Sequence, residues 1–155
     1  DEAMKNFEQT GMISEINSLV LDQKIPILGI CVGMQMLANS SEEGHLAGLG
    51  WIDAEVKRFS DYKGKNSGRI PHMGWSFICV EDESPLLQLN DIQQKFYFLH
   101  SYYFVCHNSD NCVASVDYGT KFACVVRQNN IFGVQFHPEK SHQNGVALLK
   151  RFAEF

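Results

Sequence analysis

Pro26-Ile27-Leu28-Gly29-Ile30-Cys31-Val32-Gly33-Met34-Gln35-Met36-Leu37-Ala38 changes character twice within thirteen residues. Residues 26–30 are a short apolar run without alternation, the pattern of a strand buried on both faces. Met34 to Ala38 has good helix propensity. Between them lies G-x-C-x-G, in which the flanking glycines let the chain pass sharply from strand to helix without side-chain clashes. Strand, sharp turn and helix form an α/β unit with Cys31 exposed at its apex.

Upstream, Met4, Phe7, Ile13, Ile16, Leu19 and Val20 recur at roughly helical intervals. Downstream, Ser40 to Gly50 reads as a loop and Ile52, Ala54 and Val56 alternate as in a strand, with Trp51 beside them. Asp61 to Gly68 reads as an exposed loop, and Ile70 to Val80 returns to apolar and aromatic residues. Phe96–Cys106, Val113–Tyr118, Phe122–Arg127 and Ile131–Phe136 are β-branched and aromatic runs separated by Asn, Asp and Gly. Val146, Leu149 and Phe152 fall on one stripe of a closing amphipathic helix. The balance is α/β.

The 155 residues, 45% of them hydrophobic, suffice for one core, and a single domain over 1–155 is expected. A net charge of -5 without a basic run offers no electrostatic footprint for nucleic acid or an anionic membrane. No segment has the length of a membrane span and the first residues lack a signal pattern, so a cytoplasmic protein is expected. The five cysteines show no C-x-x-C pair and no zinc-finger spacing; neither disulfides, a metal nor a cofactor is indicated.

Cys31 alone among the cysteines has the context of a nucleophile. Unpaired N–H groups at the start of the following helix would favour its thiolate, and the Val32 N–H, with Gly33 beside it, is placed to donate to a developing oxyanion. Taken alone, G-x-C-x-G is equally a tight turn around a structural cysteine. Gln135-Phe136-His137-Pro138-Glu139 alters that balance. Pro138 biases His137 toward an extended conformation, in which residues two apart point to the same side. His137 can then take the thiol proton and return it to a leaving group while Glu139 orients the imidazole. The order nucleophile, His, acid differs from that of α/β-hydrolases, and the cathepsin-type signature is absent.

Gly-Ile-Cys-Val-Gly-Met-Gln at 29–35 and Val-Gln-Phe-His-Pro-Glu-Lys-Ser at 134–141 resemble the two signatures of class I, triad-type glutamine amidotransferases. Within that class, residues 40–44, 71–75 and 96–102 resemble the glutaminase subunits of imidazole glycerol phosphate synthases. The resemblance implies a flavodoxin-like doubly wound sheet, L-glutamine as substrate, and a (βα)₈ cyclase subunit that receives the ammonia. It also implies roles by position: Gln35 and Glu43 for glutamine, the backbone of His100, Ser101 and Tyr102 closing over it, and Trp75, Tyr97 and Lys140 facing the partner. Members of the family carry further strands and a Pro-Gly-Val-Gly segment before the point where this sequence starts, so a chain lacking the first strands of the domain is expected. His142 and Asp117-Tyr118-Gly119 resemble paralogues that supply ammonia to sugar-modifying enzymes, which keeps that acceptor open. γ-Glutamyl peptide hydrolysis and a non-catalytic docking subunit are the remaining alternatives.

Overall fold

The computed structural model describes residues 1–60, 69–89 and 94–155. The loop expected at Asp61 to Gly68 lies outside the described residues. The chain opens with helices α1 (Glu2–Gln9) and α2 (Ile13–Asn17), the second running into a π-helical turn at Ser18–Asp22. The break between them falls where Thr10 Oγ1 donates back to the Phe7 carbonyl and Gly11 takes φ +69°. Then follow β1 (Ile27–Ile30), α3 (Val32–Gln35), β2 (Ser40–Ser41), β3 (Ala54–Arg58), β4 (His72–Phe77), β5 (Cys79–Val80), β6 (Lys95–His100), β7 (Tyr102–Cys106), β8 (Cys112–Asp117), β9 (Lys121–Gln128), β10 (Ile131–Val134) and α4 (His142–Ala153).

Among the described residues, eight strands form one sheet along the path β1-β10-β9-β7-β3-β2, with β8 on the other edge of β9 and β5 beyond β8; β4 and β6 form a separate two-stranded sheet. The pairings β1–β10 and β2–β3 are parallel, and the others are antiparallel. Antiparallel pairing prevails because short turns join the late strands: Gly119 at φ +77° between β8 and β9, and Asn129 at φ +56° between β9 and β10. The apolar run 96–106 is accordingly divided at Ser101 between the two sheets.

Two cores lie on opposite faces of the large sheet. One holds Phe96, Phe98, Phe132, Val134, Phe136 and Leu148, so it joins the β4–β6 sheet and α4 to β10. The other holds Val20, Met34, Leu37, Ile52, Val56 and Ile131 and lies beneath the N-terminal helices. Helices on both faces are what the doubly wound reading requires, and they explain why β9 from Phe122 to Val126 and the whole of β10 are apolar and buried.

Several local expectations are corrected. β1 pairs only with β10 among the described residues, and its side chains are half-buried instead of buried on both faces. The helix after Cys31 is only four residues long. The 40–50 segment contains β2, since Ser40 and Ser41 align with Glu55 and Val56. In α4 the buried residues are Gly145 and Leu148, whereas Val146 is 67% exposed. Close approach of Gly145 to Pro138 rotates the helix so that the smallest residue, not the branched one, faces the chain below. Among the described residues no helix is long and apolar enough to cross a membrane.

Candidate functional site

Cys31 stands between β1 and α3 with φ 51° and ψ −110°, a conformation that costs L-residues energy and that surrounding structure must hold in place. What holds it is close backbone packing. A Cβ on Gly29 would come within 2.6 Å of the Gly33 carbonyl oxygen and 2.8 Å of the Met34 nitrogen, so the turn closes only over glycine. Gly33 is different: a Cβ there meets nothing within 4 Å, so sterics demand only the first glycine of the motif. Cys31 N–H donates to the Val134 carbonyl at 2.8 Å, which ties the turn to the end of β10 three residues before His137.

His137 Nδ1 lies 2.7 Å from Glu139 Oε1, a charge-assisted hydrogen bond that commits Nδ1 as donor and leaves Nε2 for the other proton. The backbone of His137 is clamped to β6. Its N–H donates to the Tyr97 carbonyl at 2.9 Å, and its own carbonyl accepts from Ser141 Oγ at 2.6 Å, while that hydroxyl accepts from the Tyr97 N–H at 3.0 Å. Ser141 is buried and carries both bonds, a positioning role that the sequence reading passed over.

Cys31, Val32, Gln35, Glu43, Leu99, His100, Ser101 and Tyr102 line one cleft of ≈ 410 Å³, together with Pro71. Every residue expected to bind substrate is therefore brought to the nucleophile. Cys31 Sγ approaches the Leu99 carbonyl at 4.0 Å and Gln135 Nε2 at 3.9 Å; it makes no direct hydrogen bond to His137. Gln135, fully buried, is a site residue that the sequence reading left as part of a motif. Its signal was there: a glutamine in the middle of an apolar strand end must have polar partners.

The Val32 N–H favours the thiolate as expected, but burial works against it. Burial pushes the Cys31 thiol up from 9.0, and the Glu139 and Glu43 carboxylates add to that; the Val32 N–H and Gln135 hydrogen bonds lower it without prevailing. At neutral pH the resting group is a thiol, so attack requires a base. Cys106 and Cys112 are pushed further, to about 12 and about 11, by burial without compensating donors, which fits them to the core and not to chemistry. No group of three or more His, Cys, Asp and Glu side chains able to hold a metal occurs among the described residues.

Trp75 and Tyr97 face each other across the β4–β6 register, ring centroids 6.0 Å apart. Lys140 Nζ sits 5.8 Å above the Tyr97 ring and His142 stacks on Trp75 at 5.1 Å. These side chains form one surface cluster beside exposed Met73, Phe77 and Leu99, an apolar face flanking the cleft.

The model of the family described as glutamine amidotransferase class-I matches residues 4–154. Among curated relatives, imidazole glycerol phosphate synthase subunit HisH of Bdellovibrio bacteriovorus is 49% identical over 154 residues, covering 99% of this chain and 76% of that protein. The subunit of the same name from Leptospira interrogans is 46% identical, covering 99% and 75%. This chain belongs to the class-I glutamine amidotransferases. Two solved structures agree on the fold of this amidotransferase chain: a putative GMP synthase protein from Thermoplasma acidophilum (TM-score 0.62, 21% identity, 95% of this chain and 65% of that one) and a glutamine amidotransferase from Thermotoga maritima (TM-score 0.61, 23% identity, 99% and 55%). The chain thus spans about three quarters of the length of these curated relatives and less than two thirds of these two solved chains.

The amidotransferase core also holds two buried histidines, His72 and His100, whose rings are 2.9 Å apart between Nδ1 and Nε2. Burial, with the charge His100 would place beside it, lowers His72 from 6.5 to about 3; burial lowers His100 from 6.5 to about 4 against the Tyr102 carbonyl bond, which raises it, with the charge of His137 adding to the lowering. Both rings are neutral in the folded state but take a proton in the unfolded chain below about pH 6.5. Stability is therefore unaffected by them above pH 6.5 and falls as the pH drops from there toward the folded values. Each contributes a slope of up to ~1.4 kcal/mol per pH unit. The Asp53, Glu55 and Glu81 carboxylates, held low by ion pairs and hydrogen bonds, act only in a more acidic window. Denaturant unfolding at pH 7.5, 6.5 and 5.5 should show a loss concentrated in the last interval, and His72→Phe should roughly halve it, since His100 remains.

Proposed function

We propose that this chain is the glutaminase subunit of an imidazole glycerol phosphate synthase, hydrolysing glutamine to glutamate and delivering the ammonia to a (βα)₈ cyclase subunit in the cytoplasm. The observation that carries the chemistry is a strained, cleft-facing Cys31 tied by its backbone to the strand that leads to the His137–Glu139 pair. The acceptor assignment rests on relatives of that name aligned over 99% of the chain.

His137 Nε2 takes the Sγ proton as sulfur attacks the side-chain carbonyl carbon of glutamine. The Val32 and Gly33 N–H groups stabilise the resulting oxyanion. Collapse breaks the C–N bond, His137 returns the proton to the departing nitrogen, and ammonia leaves a γ-glutamyl thioester. Water, deprotonated by His137, attacks the thioester, glutamate is released and the thiol is restored. Glu139 holds the imidazole and stabilises its cationic form. Glu43, whose carboxylate pairs with no cation among the described residues, receives the ammonium of the substrate, and Gln35 and the backbone of His100 to Tyr102 hold its other end. Trp75, Tyr97 and Lys140 meet the cyclase through the apolar face beside the cleft.

The test is glutamate formation by the protein alone, with a co-purified (βα)₈ partner, and with that partner's imidazole-precursor ligand. Turnover is expected to rise sharply only with partner and ligand together. Turnover indifferent to that ligand would transfer the chain to the sugar-modifying paralogues, and cleavage of γ-glutamyl peptides without a partner would make it a free hydrolase.

A further inference from the structure

His72 occupies an aromatic slot. It is 1% exposed, stacked on Tyr118 at 3.9 Å and on Phe98 at 4.7 Å, on a strand whose opposite face exposes Met73, Trp75 and Phe77. Phenylalanine would fill that slot at no cost in buried nitrogen, so the histidine must be explained by its hydrogen bonds.

Those bonds have one possible direction. His100 Nδ1 lies 2.8 Å from the Tyr102 carbonyl, which can only accept, so Nδ1 carries the hydrogen and Nε2 of the neutral ring is an acceptor. His72 Nδ1, 2.9 Å from that Nε2, must then be the donor. Its own Nε2 accepts from Ser76 Oγ at 2.8 Å. The Tyr102 carbonyl has a second lone pair, and it accepts from Gln35 Nε2 at 3.0 Å. The other hydrogen of that amide goes to Gln135 Oε1 at 3.1 Å, and Gln135 Nε2 in turn points at Cys31 Sγ, 3.9 Å away. Each group has one orientation that satisfies its neighbours, and reversing any of them leaves two donors or two acceptors face to face.

We propose that His72 is a positioning residue for the thiol site: acting through His100, it fixes the Tyr102 carbonyl and thereby the orientation of Gln35 and Gln135 against Cys31. The chain of bonds begins on β4, outside the cleft, and ends on the nucleophile. Its consequence for substrate rests on the glutamine reading above; its consequence for the thiol does not.

The test compares His72→Phe with His72→Asn in the full chain. Phenylalanine keeps the ring stack and removes the donor, whereas asparagine places an amide N–H near the position of Nδ1 and packs poorly. The measurements are kcat/KM for glutamine, the pH profile of Cys31 alkylation by iodoacetamide read by peptide mapping, and the unfolding midpoint. His72→Phe should lower kcat/KM by about tenfold, the worth of one oriented hydrogen bond. It should also move Cys31 alkylation to higher pH, because the Gln135 donation that favours the thiolate is lost. His72→Asn should lie nearer the wild type in both, although less stable. Equal alkylation profiles in all three proteins, or activities that follow stability with phenylalanine above asparagine, would overturn the proposal. If the wild type does not hydrolyse glutamine even with the (βα)₈ partner and its ligand, the conditions in which kcat/KM is compared, the glutamine reading falls while the alkylation profiles still decide the role of His72.

Discussion

Cys31→Ala is expected to abolish glutamine hydrolysis, by ~10⁴-fold or more, and to leave ammonia-dependent synthesis by the partnered enzyme intact. The loss should be near complete because sulfur would form the covalent intermediate and no other thiol shares the cleft: Cys124 is fully buried, and Cys79, Cys106 and Cys112 do not line it. The fold should tolerate the change. Alanine retains the Cβ, so the strain at φ 51° is no worse, and the atom removed has only long contacts, at 3.9 and 4.0 Å, besides the Val32 N–H. Burial that raises the thiol pKa also means that little charge stabilisation is forfeited. The assay is glutamate release and product formation with glutamine or with ammonium as nitrogen donor. Loss of both activities, or of neither, contradicts the assignment of Cys31.

Gly145→Ala should be the most damaging substitution outside the cleft. Alanine in a helix interior is ordinarily worth ~1 kcal/mol over glycine. Here the new Cβ would lie 1.8 Å from the Pro138 carbonyl oxygen and 2.7 Å from its carbonyl carbon, both backbone atoms that no rotamer change can move. The clash outweighs the propensity gain, for a net cost of ~1–3 kcal/mol. Relief comes only by parting α4 from the 137–140 turn, which carries His137 and Glu139 away from Cys31. A displacement of about 1 Å there lowers kcat by ~10² with a smaller change in KM. Urea unfolding and glutaminase kinetics decide it: a variant as active as the wild type and more stable, as propensity alone predicts, would show that the contact does not matter.

Much of the site was legible because its chemistry needs particular residue types at short range. G-x-C-x-G sits on a strand-to-helix turn, and His-Pro-Glu does place the two side chains within 2.7 Å, although not by the extended backbone expected: only His137 is extended, and a 3-10 turn over Pro138–Lys140 brings Glu139 back to the imidazole. The residues expected to contact substrate came from resemblance alone; nothing in the composition of 40–44 or 99–102 points to a cleft, yet Glu43 and residues 99–102 line it. Errors fell where a neighbour distant in sequence overrode a local pattern. Val146 fits the apolar stripe of α4 but faces solvent, because Pro138 admits only glycine at the contact. The helix after Cys31 is shorter than propensity suggests because residues 36–39 bond to the 48–54 segment: Leu49 N–H donates to Met36, Ile52 N–H to Leu37, and Asn39 N–H to Ala54.

By itself the sequence determined the α/β class and singled out Cys31, His137 and Glu139 as the candidate nucleophile, base and orienting carboxylate, because each of those readings depends on residue type and spacing within a few residues. Only the tertiary structure decided that the thiol rests protonated, that Ser141 clamps the base, and that two buried histidines and two glutamines run in one hydrogen-bonded line to the sulfur. Those properties depend on burial and on hydrogen-bond direction between residues as much as a hundred positions apart (Gln35 with Gln135), and no local pattern encodes either.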